Sequence, residues 1–263
     1  MATTKAAVVW INGFPGCGKL TVATAIRALD KTVIVLDNHK LIDPVEERVA
    51  RTHPSYQHER RCFRQAALKE NVCDPAGLSR LVVFTDFQSD NELGWAVASE
   101  YKDATISAGR SFVPVYLTCD VATNLERVTS IARLTSRTTK LIDRRALEDI
   151  RSRCELFRFL DCPSLTVDSS NLTPLDAAAE ILAFARGAAS PRASLVEGMS
   201  VPPGLAGLAE RAKPQPKTVC FPCFATSCSL QLFSETLLPF LSRLIVPVEI
   251  LRISDVYSTE ISN

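Results

Sequence analysis

The stretch VVWINGFPGCGKLT, residues 8–21, decides the reading of this chain. An apolar β-type run from Ala6 to Ile11 ends at Asn12-Gly13. A glycine-rich turn follows, then Lys19, then a segment of helical period from Thr21 to Leu29. The order is strand, phosphate loop, helix. Three of the ten glycines, Gly13, Gly16 and Gly18, fall within six residues. Glycine at such positions lets consecutive backbone N–H groups turn inward around phosphate oxygens. Lys19 is placed to reach the outer phosphates of a nucleotide, and the helix N-terminus adds its positive dipole end.

The general phosphate-loop pattern is G-x-x-x-x-G-K-[ST], with the final hydroxyl on Mg²⁺. Gly13, Gly18 and Lys19 fit it, but Leu20 stands where the hydroxyl belongs and Thr21 comes one residue later. The string Gly13-Phe14-Pro15-Gly16-Cys17-Gly18-Lys19-Leu20-Thr21 resembles the loop of adenylate kinases and related small-molecule kinases. In adenylate kinases a glycine follows the lysine, and the metal is held mostly through water and carboxylates. The resemblance implies ATP and Mg²⁺ as cofactors, with this string as the nucleotide-binding loop. Thr21 then serves the α- or β-phosphate and touches the metal mostly through water, and carboxylates elsewhere position it.

The chain has 263 residues and a net charge of +1, with basic residues interspersed among acidic ones. That balance disfavours nucleic acid as the main ligand. Nine scattered cysteines, and a first core strand beginning almost at Met1, predict a reducing, cytoplasmic location. The pattern changes near Gly187. Residues 187–263 hold eight of the fifteen prolines and few charges. Ala188 to Pro216 reads as a linker. Leu237 to Ile253 is rich in Leu, Ile and Val but is interrupted by Pro239, Arg243, Pro247 and Glu249, so no membrane span is expected there. Cys220-x-x-Cys223 with Cys228 nearby has no second pair, so zinc is not expected.

Within residues 1–186, strands are predicted near 32–36, 81–84, 112–117 and 165–167, besides the first. The fourth reads as an outer strand because of Pro114. Helices are predicted over Ser55–Asn71, from a capping box at Ser89-Asp90-Asn91-Glu92 to about Ala108, over Val121–Ile131 and Leu147–Phe157, and from an N-cap at Thr173. Alternating strands and helices predict an α/β P-loop fold: a three-layer sandwich around a five-stranded parallel sheet, with a small basic lid and an irregular C-terminal tail.

Ligands in such sheets bind beyond the carboxyl ends of the strands. Two carboxylates stand there as candidates, Asp37 after the second strand and Asp86 after the third. Phosphoryl transfer needs metal positioning and a group to accept the proton of the attacking hydroxyl. Asp86 is the candidate metal organiser and Asp37 the candidate base. The alternative makes both helix caps or turn formers, which is the reading preferred for Asp120 and Asp168. His39 is open between orienting substrate and an ordinary loop role. His53 and His58 lack a metal-ligand pattern. Leu125 to Arg145 carries Arg127, Arg133, Arg137, Lys140, Arg144 and Arg145, a candidate lid whose guanidinium groups offset phosphoryl charge. The helix from Ser55 has a basic face (Arg60, Arg61, Arg64, Lys69) suited to covering an anionic acceptor.

Four further strings widen the resemblance: Asp37-Asn38-His39 with Leu41-Ile42-Asp43-Pro44, His53-Pro54-x-Tyr56-Gln57, Phe84-Thr85-Asp86-Phe87-Gln88-Ser89, and Thr139-Lys140-Leu141. Over about residues 6–185 they are similar to small phosphate-loop proteins labelled AAA-family ATPases or chloramphenicol-phosphotransferase-like kinases. The resemblance implies a lid-bearing kinase, with Arg127 at the lid edge stacking on adenine and Arg133 and Arg137 on phosphates. Leu20 departs from the chloramphenicol kinases, which keep a hydroxyl there.

The leading expectation is an ATP-dependent phosphotransferase acting on a small-molecule acceptor, without nucleic acid or membrane as partner. The alternatives are an NTPase or nucleotide-gated binding protein, and a nucleotide-binding remnant that docks a partner through its tail. A chain cut after about residue 187 is expected to keep the fold and nucleotide affinity of the full chain. Circular dichroism, melting and ATP titration check this, and an unfolded or non-binding truncation would place the tail in the core.

Overall fold

A computed structural model of the chain describes residues 5–135 and 139–189. Arg137, the linker, the Cys220-x-x-Cys223 pair with Cys228, and the apolar tail lie outside the described residues. Five parallel strands form one sheet in the order β2-β3-β1-β4-β5: β1 (Val8–Asn12), β2 (Ile34–Asp37), β3 (Val82–Asp86), β4 (Phe112–Thr118) and β5 (Leu165–Asp168). The fold is the expected α/β one. Every residue of β1 is buried, as the central strand of a parallel sheet covered on both faces must be.

The two-residue period of β1 sorts its side chains into two cores. Val9 and Ile11 face one layer, where α1 (Lys19–Leu29) and α8 (Pro174–Ala188) bury Val22, Ile26, Ile181 and Leu182. Val8 and Trp10 face the other, beneath α3 (Tyr56–Leu68) and α4 (Glu92–Ser107). There Trp10 meets Phe159 edge-on at 5.8 Å and lies 6.2 Å from Tyr101. A third, smaller cluster joins α5 (Val121–Val128) to α7 (Arg144–Arg153) through Leu125, Val128, Leu147 and Ile150, with Phe14 and Phe87 packed against it. That cluster lies at the two ends of the basic segment. At the opposite end of the sheet, Arg110 is 5% exposed and gives its donors to the carbonyls of Ala6, Ala7, Val72 and Arg80. It joins strand starts to the segment after α3, a structural role that no sequence pattern announced.

Several elements differ from expectation. Strand β4 is interior, between β1 and β5. Its ladder with β5 begins only at Val115, so the flank at Pro114 is unpaired and has room for a residue without an N–H. An unexpected helix, α2 (Asn38–Glu46), follows β2 directly and contains Pro44. Proline obscured a pattern that Leu41 and Val45, both buried and four residues apart, carry. The cap of α4 is Asn91, whose side chain accepts from the Gly94 N–H, rather than Ser89. The expected helix 121–131 is split into α5 and the short α6 (Ile131–Leu134). Helix α7 starts three residues early, because Asp143 accepts from the N–H groups of Arg145 and Ala146, and ends at Arg153. Residues up to Phe159 then run back across the sheet end. Ser89 pairs with Leu156, and the Tyr116 hydroxyl meets the Phe159 N–H at 2.6 Å. Helix α8 continues to Ala188, whose carbonyl accepts from Ser111.

Replacing Trp10 with alanine removes the centre of the aromatic layer and is expected to cost about 3–5 kcal/mol. Urea unfolding followed by far-UV circular dichroism measures it. A loss below about 1 kcal/mol, the size of an ordinary substitution, would show that the layer contributes little.

Candidate active site

The loop between β1 and α1 is shaped by glycine at two positive φ values, +88° at Gly16 and +93° at Gly18. Both lie in a region that L side chains avoid. Gly18 is also the N-cap of α1, and no side chain caps that helix, whereas Asn91, Asp120, Asp143 and Thr173 cap α4, α5, α7 and α8. An uncapped N-terminus leaves donors for an anion. Lys19 arches back over the loop, its Nζ donating to the carbonyls of Gly13 at 2.6 Å and Phe14 at 2.9 Å.

The loop is clamped from behind. Asn124, fully buried, donates to the Pro15 carbonyl at 2.8 Å, and a Cβ on Gly16 would come within 2.7 Å of its amide nitrogen. Arg151 donates to the Asn124 carbonyl oxygen at 2.8 Å and lies 4.9 Å over the Phe14 ring. The Ser169 hydroxyl lies 3.0 Å from the Cys17 carbonyl and is itself met by Arg127 at 3.0 Å. Asn12 accepts from the Gln88 N–H and donates to the carbonyls of Gln88 and Phe157. Asn124, Ser169 and Arg151 went unnoticed in the sequence, where nothing distinguishes them from ordinary helix or loop residues.

A cleft of about 580 Å³ opens in front of the loop, within the range of small-ligand sites. Pro15, Gly16, Gly18, Lys19, Leu20 and Thr21 line it on one side, and Asp37 and Asp86 stand at its floor. Gly13, Phe14 and Cys17 do not line it. Gly13 abuts the Leu117 carbonyl, Phe14 packs toward Phe87 at 5.6 Å, and Cys17 is buried.

Asp37 is 8% exposed and accepts from the Thr85 hydroxyl at 2.9 Å. It precedes α2 but makes no capping bond to it. Asp86 is 1% exposed. Its Oδ1 accepts from Asn38, Gln88 and the Phe87 N–H, at 2.8, 3.0 and 2.8 Å. Its Oδ2 is buried without a partner among the described residues. An unpaired carboxylate oxygen is costly to bury, and a cation or its bound water at the cleft floor would satisfy it. The donor set fits magnesium. By contrast Asp120 and Asp168 are cap and turn: Asp120 accepts from Thr123, which holds its carboxyl down at about 2, and Asp168 accepts from Ser170.

The basic segment divides. Arg133, Thr139, Lys140 and Leu141 line the cleft opposite the loop. Arg133 donates to the Leu141 carbonyl at 2.6 Å, and burial lowers its pKa. Arg127 lies behind Gly18 on Ser169 and outside the cleft lining. Arg144 and Arg145 are exposed, with Arg144 on Glu148. From α3, Arg60 and Arg64 reach the cleft while Arg61 and Lys69 do not, and Arg51, not anticipated, joins them. His39 lies 3.4 Å from Asp43 and 3.3 Å from Thr139, and Thr139 donates to Asp43 at 2.7 Å. These three residues tie α2 to the lid segment.

Among solved structures the chain is similar to a putative kinase from Chloroflexus aurantiacus j-10-fl, at 16% identity over 70% of this chain and 98% of that one, with a TM-score of 0.51. It is also similar to a gluconokinase from Sinorhizobium meliloti 1021, at 17% identity, 73% and 98% coverage and a TM-score of 0.49. Kti12 from Chaetomium thermophilum, solved with ADP-AlF3, matches at 17% identity, 70% and 99% coverage and a TM-score of 0.49. The first likeness establishes a shared fold. No protein-family model and no curated protein matches the chain.

Burial lowers the His39 pKa, against the raising effect of Asp37 and Asp43 and with that of Lys140. The unfolded chain therefore takes up this proton more readily than the folded one. Stability is fully present above about pH 6.5, the ordinary histidine value, and falls as the solution is acidified below it. Titration of the His39 ring by NMR is expected to show a midpoint below that value, and His39→Gln should flatten the corresponding part of the melting profile. A midpoint at or above the ordinary value would contradict this.

Proposed function

We propose that the chain is an ATP-dependent phosphotransferase that moves the γ-phosphoryl group to a hydroxyl of a small molecule. One observation carries the reading: a single cleft joins a glycine-shaped, uncapped loop bearing Lys19 to two carboxylates at adjacent strand ends and to basic residues of a lid. The fold shared with a putative kinase is consistent with it. In this reading the residues from Gly13 to Thr21 form the phosphate cradle. Lys19 leaves the Gly13 and Phe14 carbonyls for the phosphates, Arg133 and Lys140 close over them, and Arg137, outside the described residues, is assigned to the same phosphates. Arg127 borders the nucleotide from behind Gly18.

Asp37 accepts the proton of the acceptor hydroxyl. The acceptor oxygen forms a bond to the γ-phosphorus, the bond from that phosphorus to the β–γ bridging oxygen breaks, and ADP leaves with the electron pair. Asp86, with Thr21 through water, would hold magnesium, which supplies charge neutralisation along the phosphates. Asn38 and Gln88 keep the Asp86 carboxylate oriented. Thr85 does the same for Asp37. Hydrolysis, with water in place of the acceptor, uses the same groups and is the second outcome of an activity assay. The chemistry suits a reducing cytoplasm.

Lys19→Ala should abolish ATP binding with little change in melting temperature, since the side chain serves the loop rather than the core. Asp86→Asn should weaken Mg·ATP relative to ATP alone. Asp37→Asn should keep nucleotide affinity and reduce transfer by roughly 10²- to 10⁴-fold. Calorimetric titration and a coupled ADP assay over a panel of hydroxylated metabolites read these effects. Unchanged ATP affinity in a folded Lys19→Ala chain would sink the proposal.

A further inference from the structure

The charges lining the cleft do not balance. Lys19, Arg51, Arg60, Arg64, Arg133 and Lys140 line it with Asp37 and Asp86, and Arg51 is paired with Glu46. Lys19, Arg133 and Lys140 lie on the loop and the lid, where a nucleotide's phosphates account for them. Arg60 and Arg64 lie elsewhere, on α3 beyond the two carboxylates.

Their placement follows from helix geometry. Tyr56, Arg60 and Arg64 are spaced four apart, so they share one face of α3, and that face is turned into the cleft. Arg64 is 4% exposed, which is rare for arginine. Its Nε donates to Glu100 at 2.9 Å, and Arg61 shares the same carboxylate from the solvent side at 3.3 Å. Glu100 thus holds Arg64 in place without being its alone. Arg60 is under-paired. Its Nε is buried with no partner among the described residues. Among the described residues its two terminal nitrogens reach the Tyr56 hydroxyl and the Asn38 amide oxygen, each at 3.4 Å, and its guanidinium lies 5.9 Å over the Tyr56 ring. A guanidinium is a strong donor fork built for an oxyanion, and here it has neutral acceptors at the outer limit of hydrogen bonding. Asn38 bridges the two halves of the cleft, since its amide also donates to Asp86.

We infer that Arg60 and Arg64 form an oxyanion subsite for the acceptor, so that the acceptor is a hydroxylated small molecule carrying a carboxylate or a phosphate. The inference rests on the phosphotransferase reading. The anionic group lies on the α3 side of the cleft, and the hydroxyl to be phosphorylated is turned toward Asp37. A neutral polyol leaves the Arg60 guanidinium with neutral acceptors alone and is a poor acceptor.

The test uses the full chain saturated with ADP and Mg²⁺, so that the phosphate loop is filled. Inorganic phosphate and acetate are then titrated calorimetrically, and the two arms distinguish a phosphate from a carboxylate ligand. One oxyanion should bind per chain. Arg60→Gln and Arg64→Gln should each weaken it by roughly tenfold or more, with ADP affinity unchanged within about twofold. Arg61→Gln, on the solvent side of Glu100, should leave oxyanion binding as it is. Because Arg64→Gln removes the buried partner of Glu100 and leaves it only the exposed Arg61 among the described residues, the half-buried Arg60 is the deciding variant should the Arg64 variant fail to fold. ADP binding with no oxyanion bound, or with oxyanion binding indifferent to Arg60, overturns the subsite and leaves the phosphotransferase reading standing. Failure of the wild-type chain to bind ADP overturns that reading, and the subsite with it.

Discussion

The loop between β1 and α1 must hold two glycines at positive φ ahead of a helix N-terminus that no side chain caps. Most of this structure serves that constraint. Peptide donors left without partners are costly, and a loop free to relax would turn them to water or fold them into the helix. Glycine at +88° and +93° sets the curvature, but glycine alone is loose. The rigidity comes from behind: Asn124 on Pro15, Ser169 on Cys17, and the close approach of Gly13 to the Leu117 carbonyl. These residues come from α5, from the end of β5 and from β4. The sheet order that puts β4 beside β1 is therefore a requirement of the loop as much as of the core.

The two carboxylates are held in different ways, and the difference matches the difference in proposed role. Asp86 is gripped by three donors on one oxygen and left bare on the other. That arrangement fixes an orientation while keeping one lone-pair-bearing atom for a cation. Among the described residues Asp37 has a single hydroxyl donor, and it lies slightly more open to the cleft. Thr85 and Asn38 link the two, as the Asn38 N–H lies 3.3 Å from the Thr85 hydroxyl that donates to Asp37.

The lid is a small hydrophobic cluster with charges on its rim. Leu125, Leu147 and Ile150 bind α5 to α7, while the Thr139–Asp43 hydrogen bond and the His39 contacts tie the segment between them to α2. The apolar side is packed between the two helices, and the described contacts on the polar side are exposed.

The sequence by itself determined the core architecture. Period-two apolar runs, helix caps such as Thr173 and the loop glycines are local signals, written in residues a few positions apart. The strand-end carboxylates followed from the same alternation, because the carboxyl ends of parallel strands lie together. Local signals also misled: Pro114 suggested an edge, Pro44 hid a helix, and the Ser89 box was displaced by Asn91, because long-range packing outweighs propensities of about one kcal/mol or less. Only the tertiary structure decided which cations face the cleft. Arg133 and Lys140 do while Arg144 and Arg145 do not, and Arg60 and Arg64 do while Arg61 does not. Charge reads alike at every position of a sequence. The rotation of a helix about its axis, set by the apolar residues it buries, chooses which of its arginines the site receives.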